Sequence, residues 1–94
     1  MLKDNPRLAA IAKGFANKHR IGMLILLDKT AGLSVGELAD VLGISFRTAS
    51  EHSSRLASAG LVLKSHTAQQ VEHSLTPTGK RVVKFLKELK SKKA

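Results

Sequence analysis

Apolar side chains recur every three or four residues over the first third of the chain, the spacing of one face of an α-helix. A first helix is predicted over residues 6–16, with Pro6 at its first position and Asn5 as its cap. Its apolar positions are Leu8, Ile11, Ala12 and Phe15. A second helix is predicted between an Asn17 cap and a stop near Gly32. Its apolar positions are Ile21, Leu24, Ile25 and Leu27.

Two short helices separated by a tight turn come next. Ser34 and Glu37 have the S-x-x-E spacing of a capping box, which predicts the start of a third helix. Its apolar positions are Val35, Leu38, Ala39 and Leu42. Gly43 ends this helix, and Ser45 can cap a fourth. Two helices joined by a glycine-containing turn of this length are typical of a helix-turn-helix.

The fourth helix is unusually polar. Between Ser45 and Ala59 the only large apolar side chains are Phe46 and Leu56. The positions predicted to face the core are Ala49, His52 or Ser53, Leu56 and Ala59. Such a helix is either a solvated surface helix or one whose polar face has a partner.

The remaining pattern is a hairpin followed by a last helix. Two strand-like runs, "LVLKSH" and "QQVEHSL", precede Thr76, which can cap a helix that has Pro77 at its first position. The turn type between the strands is left open, because the connection has no Gly or Asn. The predicted fold is mainly α with a small β-hairpin, in the order α-α-α-α-β-β-α, which is a winged helix-turn-helix. We expect one domain over residues 1–90 and a basic tail over residues 91–94.

Composition and charge narrow the classes of binding partner that this chain can have. Net charge is +9, from 16 Lys and Arg against 7 Asp and Glu, which favours an anionic partner such as nucleic acid. There is no cysteine, and hence no disulfide or thiolate metal site. No apolar run is long enough to span a bilayer, and the first residues lack a secretory signal. These features predict a cytoplasmic, nucleoid-associated protein without a membrane partner.

The polar face of the fourth helix suits the major groove, because Ser, Thr and Arg hydrogen-bond to base edges and phosphates. Arg47 is the natural partner of guanine or of phosphate, while Glu51 would repel phosphate but can accept from cytosine or orient an arginine. The predicted DNA contacts of this helix are Ser45, Phe46, Arg47, Thr48, Ser50, Glu51, Ser54 and Arg55. Those of the hairpin are Lys64, His66, Gln69 and Gln70.

The chain contains the segments "FANKHRIGMLILL", "LSVGELADVLGISFRTASEHSSRLASAGLV" and "LTPTGK". Together they resemble the ArsR-type winged-helix transcription regulators, and the likeness covers about residues 9–84. The resemblance implies a homodimer joined through the first and last helices, bound to a roughly palindromic operator and usually acting as a repressor. The corresponding dimerisation residues are Leu8, Ile11, Phe15, Val82, Phe85, Leu86 and Leu89.

The chain departs from that family in three places. Many members sense metal through cysteines on the helix that is "VGELADVLG" here, and others through an Asp and His pair on the last helix; neither is present. Ser53 occupies a position where the family usually has a buried Leu. Metal sensing at the familiar sites is therefore not predicted, no cofactor is expected, and the effector is unknown.

The sequence gives little support for a metal site at the hairpin or for an enzyme. His66 and His73 could face each other across the hairpin and bind a metal, but two such ligands make a poor site, and ordinary polar roles are favoured. No phosphate-binding loop or hydrolase motif is present, so an enzyme is not predicted. Two alternatives to a sequence-specific regulator stay open: a winged-helix protein-interaction module, and a non-specific architectural DNA-binding protein.

Overall fold

The computed structural model describes residues 2–91 and has the predicted winged helix-turn-helix fold. A short 3-10 turn precedes five helices and two strands: α1 Asn5–Phe15, α2 Lys18–Lys29, α3 Val35–Leu42, α4 Phe46–Ser58, β1 Val62–His66, β2 Val71–Leu75 and α5 Pro77–Ser91. Helix α5 continues through Ser91, one residue past the predicted domain boundary, and residues 92–94 of the expected tail lie outside the described residues. No helix within residues 2–91 is long and apolar enough to cross a membrane.

Most of the predicted helix ends are confirmed. The Asn17 side chain accepts from the backbone amides of His19 and Arg20 at the start of α2. Ser34 and Glu37 form the reciprocal capping box of α3. The Asn5 cap is wrong, because the preceding 3-10 turn makes Asn5 the first residue of α1.

The helix-turn-helix depends on a left-handed glycine. Gly43 has a φ of 69°, a conformation that side-chain-bearing residues rarely adopt, and its amide bonds back to the end of α3. Ser45 then accepts a hydrogen bond from the Thr48 amide at 3.0 Å and starts α4. The turn is thereby fixed at both ends.

One small core holds all five helices. Its buried apolar residues are Met23, Leu24, Leu27, Leu38, Ala39, Ala49, Leu56, Leu61, Val62, Val82 and Val83. Helix α2 lies at the centre, because Met23 and Leu24 are fully buried and the helix contacts α3, α4, α5 and β2. Burial of Leu, Val and Met side chains is the main source of stability for a domain of this size.

The hairpin is antiparallel and is closed by a threonine. Thr67 Oγ1 accepts from the amides of Gln69 and Gln70, and the Thr67 amide donates to the Gln70 carbonyl, which resolves the turn that the sequence left open. His66 pairs with Val71, and His73 pairs with Lys64. The two histidines therefore do not face each other directly: His66 is exposed, while His73 is buried with its Nδ1 2.9 Å from the Leu33 carbonyl.

The backbone of Leu61 joins the end of α4 to the start of α5. Its amide donates to the Leu56 carbonyl of α4, and its carbonyl accepts from the Thr76 amide that begins α5. Thr76 also donates to the Gly60 carbonyl at 2.6 Å and caps α5 by accepting from the Gly79 amide. Gly79 lies directly against the Leu61 carbonyl, where a Cβ atom would overlap the oxygen.

An arginine anchors the middle of α4 to α2. Arg20 Nη1 donates to His52 Nδ1 at 3.1 Å, since a guanidinium can only donate. Burial of the ring is the largest cause of a lowered pKa of His52, the charges of Arg20 and Arg55 lower it further, and Glu51 opposes this only in part. The lowered pKa favours the neutral ring of His52, which keeps an acceptor nitrogen available to Arg20.

We expect Gly79→Ala to lower the free energy of unfolding by about 1–3 kcal/mol or more. The added methyl group must displace the backbone of Leu61 rather than a flexible side chain. Gly36→Ala is the matched control: its Cβ would meet only Ser34 Oγ at 3.8 Å, so the variant should be neutral or more stable by up to about 1 kcal/mol. Urea unfolding at one protein concentration measures both. Equal stability of the two variants would contradict the close contact at Leu61.

We expect the free energy of unfolding to fall as pH decreases below the usual histidine pKa of about 6.5. The lowered pKa of His52 means that the unfolded chain takes up a proton before the folded chain does, so stability is present above that pH and lost below it. His52→Asn keeps a side-chain acceptor and should reduce this loss, whereas His66→Asn, in the exposed wing, should not. Parallel profiles for wild type and His52→Asn would rule out this role.

Candidate nucleic-acid interface

Helix α4 has two faces with different tasks. Ala49, Ser53 and Leu56 are buried against the core. The buried Ser53 hydroxyl donates to the Ser50 carbonyl at 3.0 Å, so a polar residue is accommodated at this position without an unsatisfied group. The core side predicted from the sequence is confirmed, and the opposite face is left without a partner inside the described chain.

The outer face of α4 begins with two side chains that lie mostly in solvent. Phe46 is 64% exposed, and the Arg47 side chain is 90% exposed. Glu51 lies one turn further on, with its carboxylate 3.9 Å from Arg47 Nε, and both side chains are largely in solvent. An exposed pair of this kind adds little stability, so Arg47 and Glu51 are available for a partner.

The serines and threonine of α4 divide between capping and exposure. Ser45 Oγ caps the helix and also donates to Thr48 Oγ1 at 2.9 Å. Thr48 and Ser50 are half-buried, whereas Ser45, Ser54 and Arg55 are exposed. Ser45 and Thr48 therefore fix the first turn, and Ser54 and Arg55 extend the polar face along the helix.

The wing, which is the hairpin of β1 and β2, lies beside α4. Lys64 Nζ donates to Ser54 Oγ at 3.3 Å, which links β1 to α4. His66, Gln69 and Gln70 are exposed at and near the tip. A groove of 520 Å³ separates the wing from the starts of α3 and α4, and its lining includes Val35, Phe46, Ser50, Lys64, His66 and Gln70. Five of the twelve predicted DNA contacts therefore line one groove between α4 and the hairpin, namely Phe46, Ser50, Lys64, His66 and Gln70.

A basic flank on the α1 side was not predicted. A shallow groove between α1 and α4 brings Lys13 beside Ser54 and Arg55. Arg20 Nη2 donates to the Lys13 carbonyl at 3.4 Å, and the charge of Arg55 lowers the pKa of Arg20, after the larger effect of burial. No local pattern could reveal this flank, because it joins three helices that are distant in sequence.

The α1 and α5 residues predicted for dimerisation fall into two groups. Leu8, Phe85 and Leu89 are more than half exposed, and Phe85 and Leu8 border a 300 Å³ groove between the two helices. Val82 is buried, and Ile11, Phe15 and Leu86 are half-buried against the core of the protomer. Only the first group has most of its apolar surface free for a second copy.

Comparisons with known proteins agree with this geometry. Residues 17–62, from the cap of α2 to the start of β1, match the family model described as winged helix-turn-helix DNA-binding. The chain is 31% identical over 67 residues to the HTH-type transcriptional regulator YgaV of Escherichia coli, covering 71% of this chain and 68% of YgaV. It is 37% identical over 79 residues to the transcriptional activator HlyU of Vibrio cholerae, covering 83% of this chain and 71% of HlyU.

Solved structures show the same fold. The structure of reduced HlyU from Vibrio cholerae superposes with a TM-score of 0.85 at 31% identity, covering 98% of this chain and 97% of that one. A homodimeric winged helix-turn-helix domain of Mb0332 from Mycobacterium bovis, described as a possible ArsR-family regulator, has a TM-score of 0.81 at 24% identity, covering 89% and 78%. The chain therefore belongs to the winged helix-turn-helix transcriptional regulators of the HlyU and YgaV type, and it is a DNA-binding regulator rather than an enzyme.

Proposed function

We propose that this regulator binds a roughly palindromic operator as a homodimer, with α4 in the major groove and the wing along the backbone. The observation that carries the proposal is the 90% exposed Arg47 side chain on the first turn of α4, directly after the helix-turn-helix. Arginine at this position suits the two acceptors of a guanine edge or a phosphate oxygen. The net charge of +9 supports attraction to DNA.

The proposed contacts divide by chemistry. Arg47 and Glu51 offer a donor and an acceptor for base edges, whereas Lys64, Arg55 and Lys13 surround α4 with charges suited to phosphates. Ser45, Phe46, Thr48, Ser50 and Ser54 complete the α4 surface, and His66, Gln69 and Gln70 complete the wing. Phosphate contacts hold the register, and the first two turns of α4 determine the preferred sequence.

The dimer proposal comes from the uncovered apolar face of α1 and α5. Leu8, Phe85 and Leu89 are too large to leave exposed without cost, and they lie on the helices that the family resemblance assigns to dimerisation. The Mb0332 domain, which has the same fold, is homodimeric, and this supports a dimer but does not locate its interface. A two-fold pair would place two α4 helices on successive turns of one DNA face.

The operator-bound dimer represses by occupying promoter DNA, and it acts in the cytoplasm at the nucleoid. A reporter with the operator overlapping its promoter tests the direction of control. Expression of the regulator should lower reporter output. A rise in output would reverse the proposed direction and match the activator HlyU.

Substituting Arg47 and Lys64 should separate sequence-specific from general binding. We expect Arg47→Ala to weaken operator binding by about 1–3 kcal/mol while affecting random duplex less, because a base contact is lost. Lys64→Ala should weaken binding to both duplexes alike and reduce the salt slope by about one, because a phosphate contact is lost. Anisotropy titrations across a salt series measure both, with Lys90→Ala on the last turn of α5 as the control.

Other outcomes of the same titrations identify the alternatives. Equal affinity of the wild-type protein for all duplexes would indicate an architectural DNA-binding protein. No binding even at low salt would favour a protein-interaction module. An unchanged operator affinity of Arg47→Ala would remove Arg47 from the specific interface.

Phe85→Glu should disrupt the dimer. A charge on this half-exposed apolar face must be desolvated when two copies meet, so the dimer dissociation constant should rise by about a hundredfold or more. Sedimentation equilibrium measures the change, and affinity for the full palindrome should fall more than affinity for a half-site. Val41→Glu, at an apolar residue on α3 that is 63% exposed against 51% for Phe85, should leave the dimer intact. A Phe85→Glu protein that remains dimeric would place the interface elsewhere.

A further inference from the structure

Phe46 is a large apolar side chain that the fold leaves uncovered at the start of α4. It is 64% exposed, and within residues 2–91 it is the only exposed large apolar residue on α4. The exposed large apolar residues on other elements are Leu8, Val41, Leu63, Phe85 and Leu89. Contact between a phenyl ring and water is unfavourable. A partner that covers the ring would gain affinity from it.

Phe46 lies at the end of α4 that would face the base pairs of bound DNA. It follows the Ser45 cap immediately, and side chains in a helix lean toward its N-terminus. Recognition helices present their N-terminal residues to base edges. Phe46 is next to the exposed Arg47 and one turn before Ser50, so it shares the surface assigned above to sequence recognition.

The major groove offers one apolar group that distinguishes a base. Thymine carries a 5-methyl group there, whereas the other base-pair edges present hydrogen-bond donors and acceptors, and Phe has neither. Building on the proposed operator binding, we infer that Phe46 packs against the 5-methyl group of a thymine in each half-site. This contact makes one operator position selective for thymine.

Two other uses of an exposed Phe fit the structure less well. Insertion between base steps is typical of proteins that bind the minor groove, whereas Phe46 belongs to the helix that enters the major groove. Burial inside the protein would require Phe46 to close onto the groove that it borders with Val35 and Lys64, yet the ring remains mostly in solvent. The thymine methyl group is the partner that matches both the apolar ring and its position.

Deoxyuridine tests this contact directly, because it removes the methyl group and keeps every hydrogen-bonding atom of thymine. The operator is first selected from a random duplex library with the wild-type protein. Each thymine of the selected site is then replaced by uracil, one symmetric pair of positions at a time. Dissociation constants are measured for wild type, Phe46→Ala, Phe46→Leu and Arg47→Ala.

One pair of uracil replacements should weaken wild-type binding by about fourfold per half-site, the value of burying one methyl group. Phe46→Ala should bind the thymine and uracil sites equally, and Phe46→Leu should keep part of the preference. Arg47→Ala should bind more weakly but retain the full preference for thymine. Thermal unfolding checks that Phe46→Ala is folded, as expected for an exposed residue.

The outcomes distinguish this inference from the proposed function. A selection that yields no preferred sequence would overturn specific operator binding itself. A preferred sequence whose uracil versions bind the wild type unchanged would overturn the methyl contact and leave operator binding intact. A thymine preference that survives in Phe46→Ala would assign the contact to another residue.

Discussion

The backbone of Leu61 is the point on which the arrangement of the interface depends. Its amide is bonded to the end of α4, its carbonyl to the start of α5, and its side chain is fully buried, while β1 begins at the next residue. Recognition helix, wing and last helix therefore share one fixed junction. Hydrogen bonds to one residue therefore connect α5 to α4 directly before β1 begins.

Local signals made most of the fold predictable. The caps at Asn17, Ser34 and Ser45 act within three residues of their partners, so the sequence alone contains both sides of each interaction. The same reasoning failed at Asn5, where a preceding 3-10 turn competes with the cap, and that turn has no strong sequence signal. Element order and type followed from these local rules together with the apolar spacing.

Features that join distant residues were not predictable in the same way. The Arg20 to His52 hydrogen bond spans 32 positions, and the pairing of His73 with Lys64 depends on the turn that Thr67 forms. The DNA contacts proposed for α4 rest on composition, because Ser, Thr and Arg are unusual on a helix that must also pack. Which α1 and α5 residues remain exposed could be learned only after the core had been assigned, since Val82 and Phe85 have the same sequence pattern but opposite environments.

The division of α4 into two faces separates stability from specificity. Ala49 and Leu56 are buried against the core, and Ser53 satisfies its own hydroxyl within the helix, so this side tolerates little change. Phe46, Arg47 and Glu51 contribute little to the core, because their side chains lie mostly in solvent. Substitutions on the outer face can therefore alter the preferred DNA sequence at small cost to folding. The polar composition of α4 is thus what a helix requires when it must be held by one narrow face and leave the opposite face free.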